Sequence, residues 1–210
     1  MILLTNPQII YISSSVVLFI IFAILLFIYL YKAAWAKFHY KEASYLVLSH
    51  MANINDYLLL NNYKIDFDDS HVGVIDHILI TKKYIYVIND FSISGVVSGD
   101  LRDRFLRVVT NKKEVKNISN PLNYNINLIK RLNLYNHLDQ SFVKGLVVVN
   151  NDAYINIANA NEQFMMIRRK DLNRIIAKHS KDKVNNLKEG DVVNFINKLD
   201  KQNHRRGVKK

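Results

Sequence analysis

The 210-residue sequence predicts an α/β fold, a mixed sheet flanked by helices, with one transmembrane helix at its N-terminal end. Three observations carry this expectation. An uncharged stretch of 23 residues, Ile9 to Tyr31, opens the chain. Short apolar strand candidates then alternate with turn signals. Helical apolar spacing flanks them on both sides.

Taken in order, residues 1–8 form a short extracytoplasmic N-terminus and residues 9–31 the span. At about 1.5 Å per residue, a helix of that length crosses a hydrocarbon core of roughly 30 Å. A secretory signal would begin with positive charge, and residues 1–8 hold no Lys or Arg. Ser13 to Ser15 are tolerated because their hydroxyls bond back to helix carbonyls. Residues 32–38 are a basic and aromatic juxtamembrane segment with Lys32, Lys37 and Trp35. Positive residues follow the span and none precedes it, which places the remainder in the cytoplasm.

The domain proper is expected over 39–200. A helix over His39 to Leu60 repeats Ala43, Leu46, Val47, Met51, Ile54, Tyr57 and Leu58 at helical spacing and contains no Gly or Pro. An acidic turn at Asp66, Asp68 and Asp69 leads into an antiparallel meander of four strands: His71 to Ile80, Tyr84 to Asn89, Gly95 to Ser98, and Phe105 to Thr110. Asn120-Pro121 reads as an N-cap followed by proline at the first helical position. Leu122, Ile126, Ile129, Leu132 and Leu138 supply that helix with an apolar face. Phe142 to Val149, FVKGLVVV, has the composition of a central strand buried on both faces. A strand at Phe164 to Ile167, a helix near Asp171 and a helix near Asp191 complete the domain, and residues 201–210 are a basic tail.

The formal charge of +11 falls wholly between Lys32 and Lys210. Nucleic acid and anionic lipid are the two ordinary partners of such a surface, and total charge does not separate them. The absence of cysteine excludes disulfides, thiolate metal sites and a cysteine nucleophile. His71 and His77, six residues apart on an extended strand, are separated by about 20 Å and make no zinc pair. No glycine-rich phosphate loop is present.

Several strings resemble, in order and separation, the nuclease-related domain, NERD, a branch of the PD-(D/E)XK nuclease superfamily. They are Glu42 early in the first helix, Ile75-Asp76-His77, Val87-Ile88, the glycines Gly95 and Gly99, Asn120-Pro121, and the strand from Gly145 to Val149. The resemblance covers roughly Tyr40 to His179 and implies a restriction-endonuclease-like fold. It implies carboxylates on adjacent strands that hold Mg²⁺, with a lysine two residues past the second acid on the same face of the strand. Here Asn89 stands at the acid and Phe91 at the lysine. Tyr124 stands where a glutamine usually follows the proline.

The resemblance therefore implies a vestigial site of Glu42, Asp76, Asn89, Phe91 and Tyr124, with no cofactor. The expected activity is binding of nucleic acid at the membrane, with Arg102, Arg104, Arg107, Lys112 and Lys113 as phosphate contacts. Further basic groups lie at Arg168, Arg169 and Lys170 and in the tail. Asp90 neighbours the missing acid, but one step along a strand turns a side chain to the opposite face. Two other readings stay open. One is an active Mg²⁺-dependent DNA endonuclease with Asp76, Glu42 and Asp90 as ligands and Lys82 or Lys83 as the lysine. The other is a membrane-bound protein-interaction module. His77 is expected to serve packing or the surface.

Overall fold

In a computed structural model, the backbone is described over residues 6–66, 72–136 and 139–204, and side chains over 16–64, 72–132 and 139–201. Asp68, Asp69, His71, Leu138 and the basic tail beyond residue 204 lie outside these residues. The chain divides into two compact units, residues 1–39 and 40–210.

The first unit is one helix, α1 (Asn6–Phe38). Its stretch Val16–Phe38 is long and apolar enough to cross a membrane. The expected juxtamembrane segment, residues 32–38, is the last part of this same helix.

The second unit begins with α2 (Tyr40–Asn55), which buries Ala43, Ser44, Leu48, Met51 and Ala52 along one stripe. Here the structure corrects the helix expected to reach Leu60. Asp56 takes φ 56°, and the Tyr57 amide returns to the Ala52 carbonyl at 3.0 Å, a left-handed cap that turns the chain. Leu58, Leu59 and Leu60 then open a strand, β1 (Leu58–Asp66), where apolar spacing alone read as more helix. It is followed by β2 (Val72–Ile80), β3 (Ile85–Asp90), β4 (Gly95–Asp100), β5 (Phe105–Val109) and β6 (Val115–Ser119). Next come α3 (Pro121–Asn136), β7 (Val143–Val149), β8 (Ala153–Ala158), β9 (Phe164–Arg168), α4 (Leu172–His179) and α5 (Glu189–His204).

These strands form two mixed sheets, ordered β1-β2-β3-β7-β9 and β6-β5-β4-β8. The expected meander is therefore broken in the middle. β2 and β3 pair antiparallel in the first sheet, while β4 and β5 pair antiparallel in the second. Gly95 makes the transfer possible. Its φ is +91°, and a Cβ there would lie 2.2 Å from the Val109 carbonyl oxygen, so both conformation and space demand glycine. Three strands, β1, β6 and β8, had no separate sequence signal.

The larger sheet is covered on both faces. Leu48, Met51 and Ala52 of α2, with Leu172 and Ile176 of α4, pack on Leu79, Tyr86, Ile88, Leu146 and Val148. Leu128, Ile129 and Leu132 of α3, with Phe195 and Leu199 of α5, pack on Ile78, Ile85, Val87 and Val143. The inner face of the small sheet, through Val97, Leu106 and Val108, meets Val147, Val149 and Met166. Burying each such aliphatic side chain stabilises the fold by about 1.5–3 kcal/mol.

Strand β7 is buried along its whole length, as its apolar composition predicts. It also buries Lys144, whose ammonium lies 4.4 Å from the Tyr84 ring centroid and donates to the Glu162 carbonyl at 3.2 Å. Burial holds its pKa below the ordinary lysine value.

Gly145 is the tightest point between α3 and the sheet. A Cβ there would meet Asn125 Oδ1 at 2.3 Å, Phe164 Cδ1 at 2.8 Å and Ile129 Cδ1 at 2.9 Å. Gly145→Ala is expected to lower the unfolding free energy by about 1–3 kcal/mol through overpacking. Urea denaturation checks this, and an unchanged midpoint would contradict the close approach.

Candidate functional site: a closed carboxylate cluster between α2 and the β2–β3 hairpin

The site lies where β2 and β3 stop pairing. Their register runs from Ile80↔Ile85 to His77↔Ile88 and ends there. On the other flank of β2, Asn61↔His77 and Tyr63↔Ile75 pair, but Asn62 and Asp76 between them drop out. Asn62 takes φ 54°, an uncommon conformation that Asn accepts more readily than most residues. Strict alternation fails at this point, and Asp76 and His77, consecutive in sequence, both reach groups on the α2 side.

The contacts of Asp76 account for its whole carboxylate. Lys41 Nζ of α2 donates to Oδ1 at 2.7 Å, and the Asp90 backbone amide donates to Oδ2 at 2.9 Å. The ion pair raises the pKa of Lys41, chiefly through this hydrogen bond and against a smaller opposing effect of burial. Asp76 itself is buried.

Asp90 is enclosed as well. Ser44 Oγ donates to its Oδ1 in a short hydrogen bond. His77 Nε2 lies 3.0 Å from its Oδ2, off the alignment of a regular hydrogen bond. His77 Nδ1 is 2.7 Å from Asn61 Oδ1, which fixes the ring plane. Burial raises the Asp90 pKa, opposed by the close approach of His77 and by the hydrogen bond from Ser44. The buried Arg169 lies within reach of the Asp90 charge, which partly offsets the lowering of its own pKa by burial.

The other expected site residues separate from this cluster. Asn89 faces α3: its Nδ2 donates to the Val74 carbonyl at 2.9 Å, and its Oδ1 accepts from Asn125 Nδ2 at 3.3 Å. Phe91 packs against the apolar cluster under the small sheet. The Tyr124 hydroxyl spans the end of β2, accepting from the Val74 amide at 3.0 Å and donating to the Val74 carbonyl at 2.9 Å. Glu42 is exposed on α2 and makes no hydrogen bond or ion pair among the described residues. Lys82 and Lys83 lie beyond the far end of β2, about 20 Å along the strand from Asp76. Lys83 Nζ there donates to the Asp182 carbonyl.

Residues 39–150 match the family model of NERD, the nuclease-related domain. The chain belongs to the NERD family. The match spans more than half of the 210 residues. It ends at the close of β7, short of the His179 to which the sequence resemblance extended. No curated protein and no solved structure matches the chain.

Within this NERD domain, Mg²⁺ would need open carboxylate oxygens converging from neighbouring strands. The donor set does not fit that demand. Asp76 gives one oxygen to a lysine and the other to a backbone amide, and Asp90 faces a serine and a histidine. Among the described residues no group of three His, Asp or Glu side chains is placed to hold a metal.

Sequence reasoning missed Lys41, Ser44, Asn61 and Asn125. The helical spacing did hold a signal for Ser44, since it lies between the buried positions Ala43 and Leu48. Asn125 follows Pro121 by four residues, one turn into α3, and its Nδ2 also lies 3.2 Å from the Val87 carbonyl. His77 is buried, the packing alternative of the two roles expected for it.

The raised pKa of Asp90 gives a signed expectation. A carboxyl whose folded pKa lies above its ordinary value of 3.8 contributes stability that is fully present below that value. The contribution is lost as pH rises through the folded pKa. The unfolding free energy of the native protein relative to Asp90→Asn should therefore decline as pH rises from about 4 to 7. Urea denaturation at stepped pH reads the difference, and a difference that grows with pH would reverse the assignment.

Proposed function

We propose that the chain is a membrane-anchored NERD protein whose cytoplasmic domain has given up hydrolysis and acts by binding nucleic acid. One observation carries the loss of hydrolysis: the positions of the nuclease acid and lysine are occupied by side chains committed elsewhere. Asn89 is tied to Val74 and Asn125, and Phe91 is part of an apolar cluster. The remaining acid, Asp76, is closed by Lys41 and the Asp90 amide. Hydrolysis of a phosphodiester needs a carboxylate free to hold the metal and a cation aimed at the scissile phosphate, and this arrangement supplies neither.

Membrane anchoring is supported by α1, whose Val16–Phe38 stretch is long and apolar enough to span. The cytoplasmic side is supported by Lys32, Lys37 and Lys41, which follow the uncharged stretch while no cation precedes it. Nucleic acid is supported by Arg102, Arg104, Arg107, Lys112 and Lys113. All five are exposed, and none makes an ion pair with a carboxylate among the described residues.

Full-length protein in neutral detergent, incubated with DNA and Mg²⁺ or Mn²⁺, should show no cleavage above an Asp76→Ala control. Cleavage that the substitution abolishes would restore the nuclease reading. Its affinity should fall between 50 and 200 mM salt by roughly 100-fold for single-stranded DNA, or roughly 500-fold for a duplex, if about five phosphates are neutralised. Binding absent at low salt would remove nucleic acid as the ligand.

A further inference from the structure

The small sheet is closed on one side only. Its inner face, through Val97, Leu106 and Val108, belongs to the core. Its outer face carries three side-chain rows whose order follows from the strand register. Val115, Val109, Val96 and Tyr154 form one row across β6, β5, β4 and β8. Asn117, Arg107, Ser98 and Asn156 form the next. Phe105 lies beyond it, two residues from Arg107 on the same face of β5.

Two aromatic rings on this face are left open. Tyr154 is 67% exposed and Phe105 50%. With Val96 and Val115, also exposed on this face, they extend the apolar surface beside cations that have no carboxylate partner among the described residues, a combination that marks an interaction surface. Arg104 already lies over the Phe105 ring, 5.3 Å from its centroid. The acids in the neighbouring turns are engaged. Asp100 accepts from the Arg102 amide at 2.9 Å and from Asn159, Asp103 accepts from the Asp100 amide at 2.8 Å, and Glu114 pairs with Lys116 at 3.2 Å. These hydrogen bonds leave the carboxylates charged, but Arg102, Arg104, Arg107, Lys112, Lys113 and Lys116 outnumber Asp100, Asp103 and Glu114, so the net charge of the face and its turns is positive.

The geometry points to a binding platform for single-stranded nucleic acid on the outer face of the β6-β5-β4-β8 sheet. Bases stack on Phe105 and Tyr154, Asn117, Ser98 and Asn156 meet base edges, and Arg107 with the turn cations carries phosphates. This rests on the nucleic-acid reading above and narrows it to a strand state and a surface. Stacking suits an unpaired strand, because a duplex buries its base faces. By strand geometry the two rings stand about 16 Å apart on the diagonal, a span that a few nucleotides of an extended strand cover. A second copy of the chain fits this face poorly, since it would set Arg107 and its neighbours against their own kind. A lipid surface would leave the amide row between the aromatics without base-like partners.

The test uses full-length protein in neutral detergent with a fluorescein-labelled 15-nucleotide thymidine strand and a 15-base-pair duplex. The single strand should bind more tightly. Phe105→Ala and Tyr154→Ala, both at surface positions, should each weaken it by roughly 5-fold to 100-fold. Melting temperatures close to that of the native protein would show that the variants fold. Photocrosslinking with 5-iododeoxyuridine in the strand should give adducts on β5 or β8 peptides.

Salt-sensitive binding that prefers the duplex, ignores both aromatic substitutions and crosslinks elsewhere would overturn the platform while leaving the nucleic-acid reading intact. No binding of either oligonucleotide at 50 mM salt would overturn both. Capture of vesicles containing phosphatidylserine that is lost in the aromatic variants, without oligonucleotide binding, would assign the face to lipid and overturn the proposal.

Discussion

Asp76 has no paired partner on either flank of β2, and its carboxylate holds the region together instead. One oxygen draws Lys41 of α2 onto the sheet, and the other receives the amide of Asp90, beyond the last paired residues of β2 and β3. An unsatisfied carboxylate at that depth would cost several kcal/mol. The start of α2, a helix otherwise seated by Leu48, Met51 and Ala52, and the end of β3 are therefore both tied to this group. Ser44 and His77 complete the enclosure by closing around Asp90. In this chain Asp76 serves as a joint between a helix and a sheet.

In this nuclease-related domain the neighbours of that joint at the end of β3 are bound on the other side of the sheet. Asn89 and Phe91 fall on the opposite face from Asp90, because neighbours on a strand alternate. Asn89 answers the open backbone at Val74 and the amide of Asn125. Phe91 adds apolar surface beneath the small sheet. Each side chain meets a packing or hydrogen-bonding need on its own side of the sheet. On the α2 side Asp76 is satisfied by Lys41 and the Asp90 amide, and Asp90 by Ser44, with His77 Nε2 beside its second oxygen.

The small sheet has a different logic. Its core-facing residues are aliphatic and tightly buried, while the outward positions of the same strands mix Phe105, Tyr154 and Arg107 with amides. A sheet that needed only to cover the core could carry any soluble residues outside. Cations without carboxylate partners among the described residues here stand next to exposed rings. That pairing is the physical ground for assigning the face a ligand.

Local patterning determined a good deal of this protein. The apolar run from Ile9, the Asn120-Pro121 helix start, the buried strand ending at Val149 and the ordered strings around Asp76 were all legible, since each depends on neighbours in sequence. The family followed from those strings. What local pattern could not decide were the strands β1, β6 and β8. Leu58 to Leu60 read as helix until the left-handed Asp56 turned the chain, and β6 and β8 are half-exposed strands whose pattern carries little signal. Nor could it decide the company of Asp76. Lys41 and Asp76 are 35 residues apart, and Ser44 and Asp90 are 46 apart. A register break at Asn62, visible only once β1 is paired, turns Asp76 toward them. The sequence by itself named Asp76; only the tertiary structure decided that both its oxygens are taken, because a buried carboxylate is stable only where the fold brings donors to it, here Lys41 and the Asp90 amide.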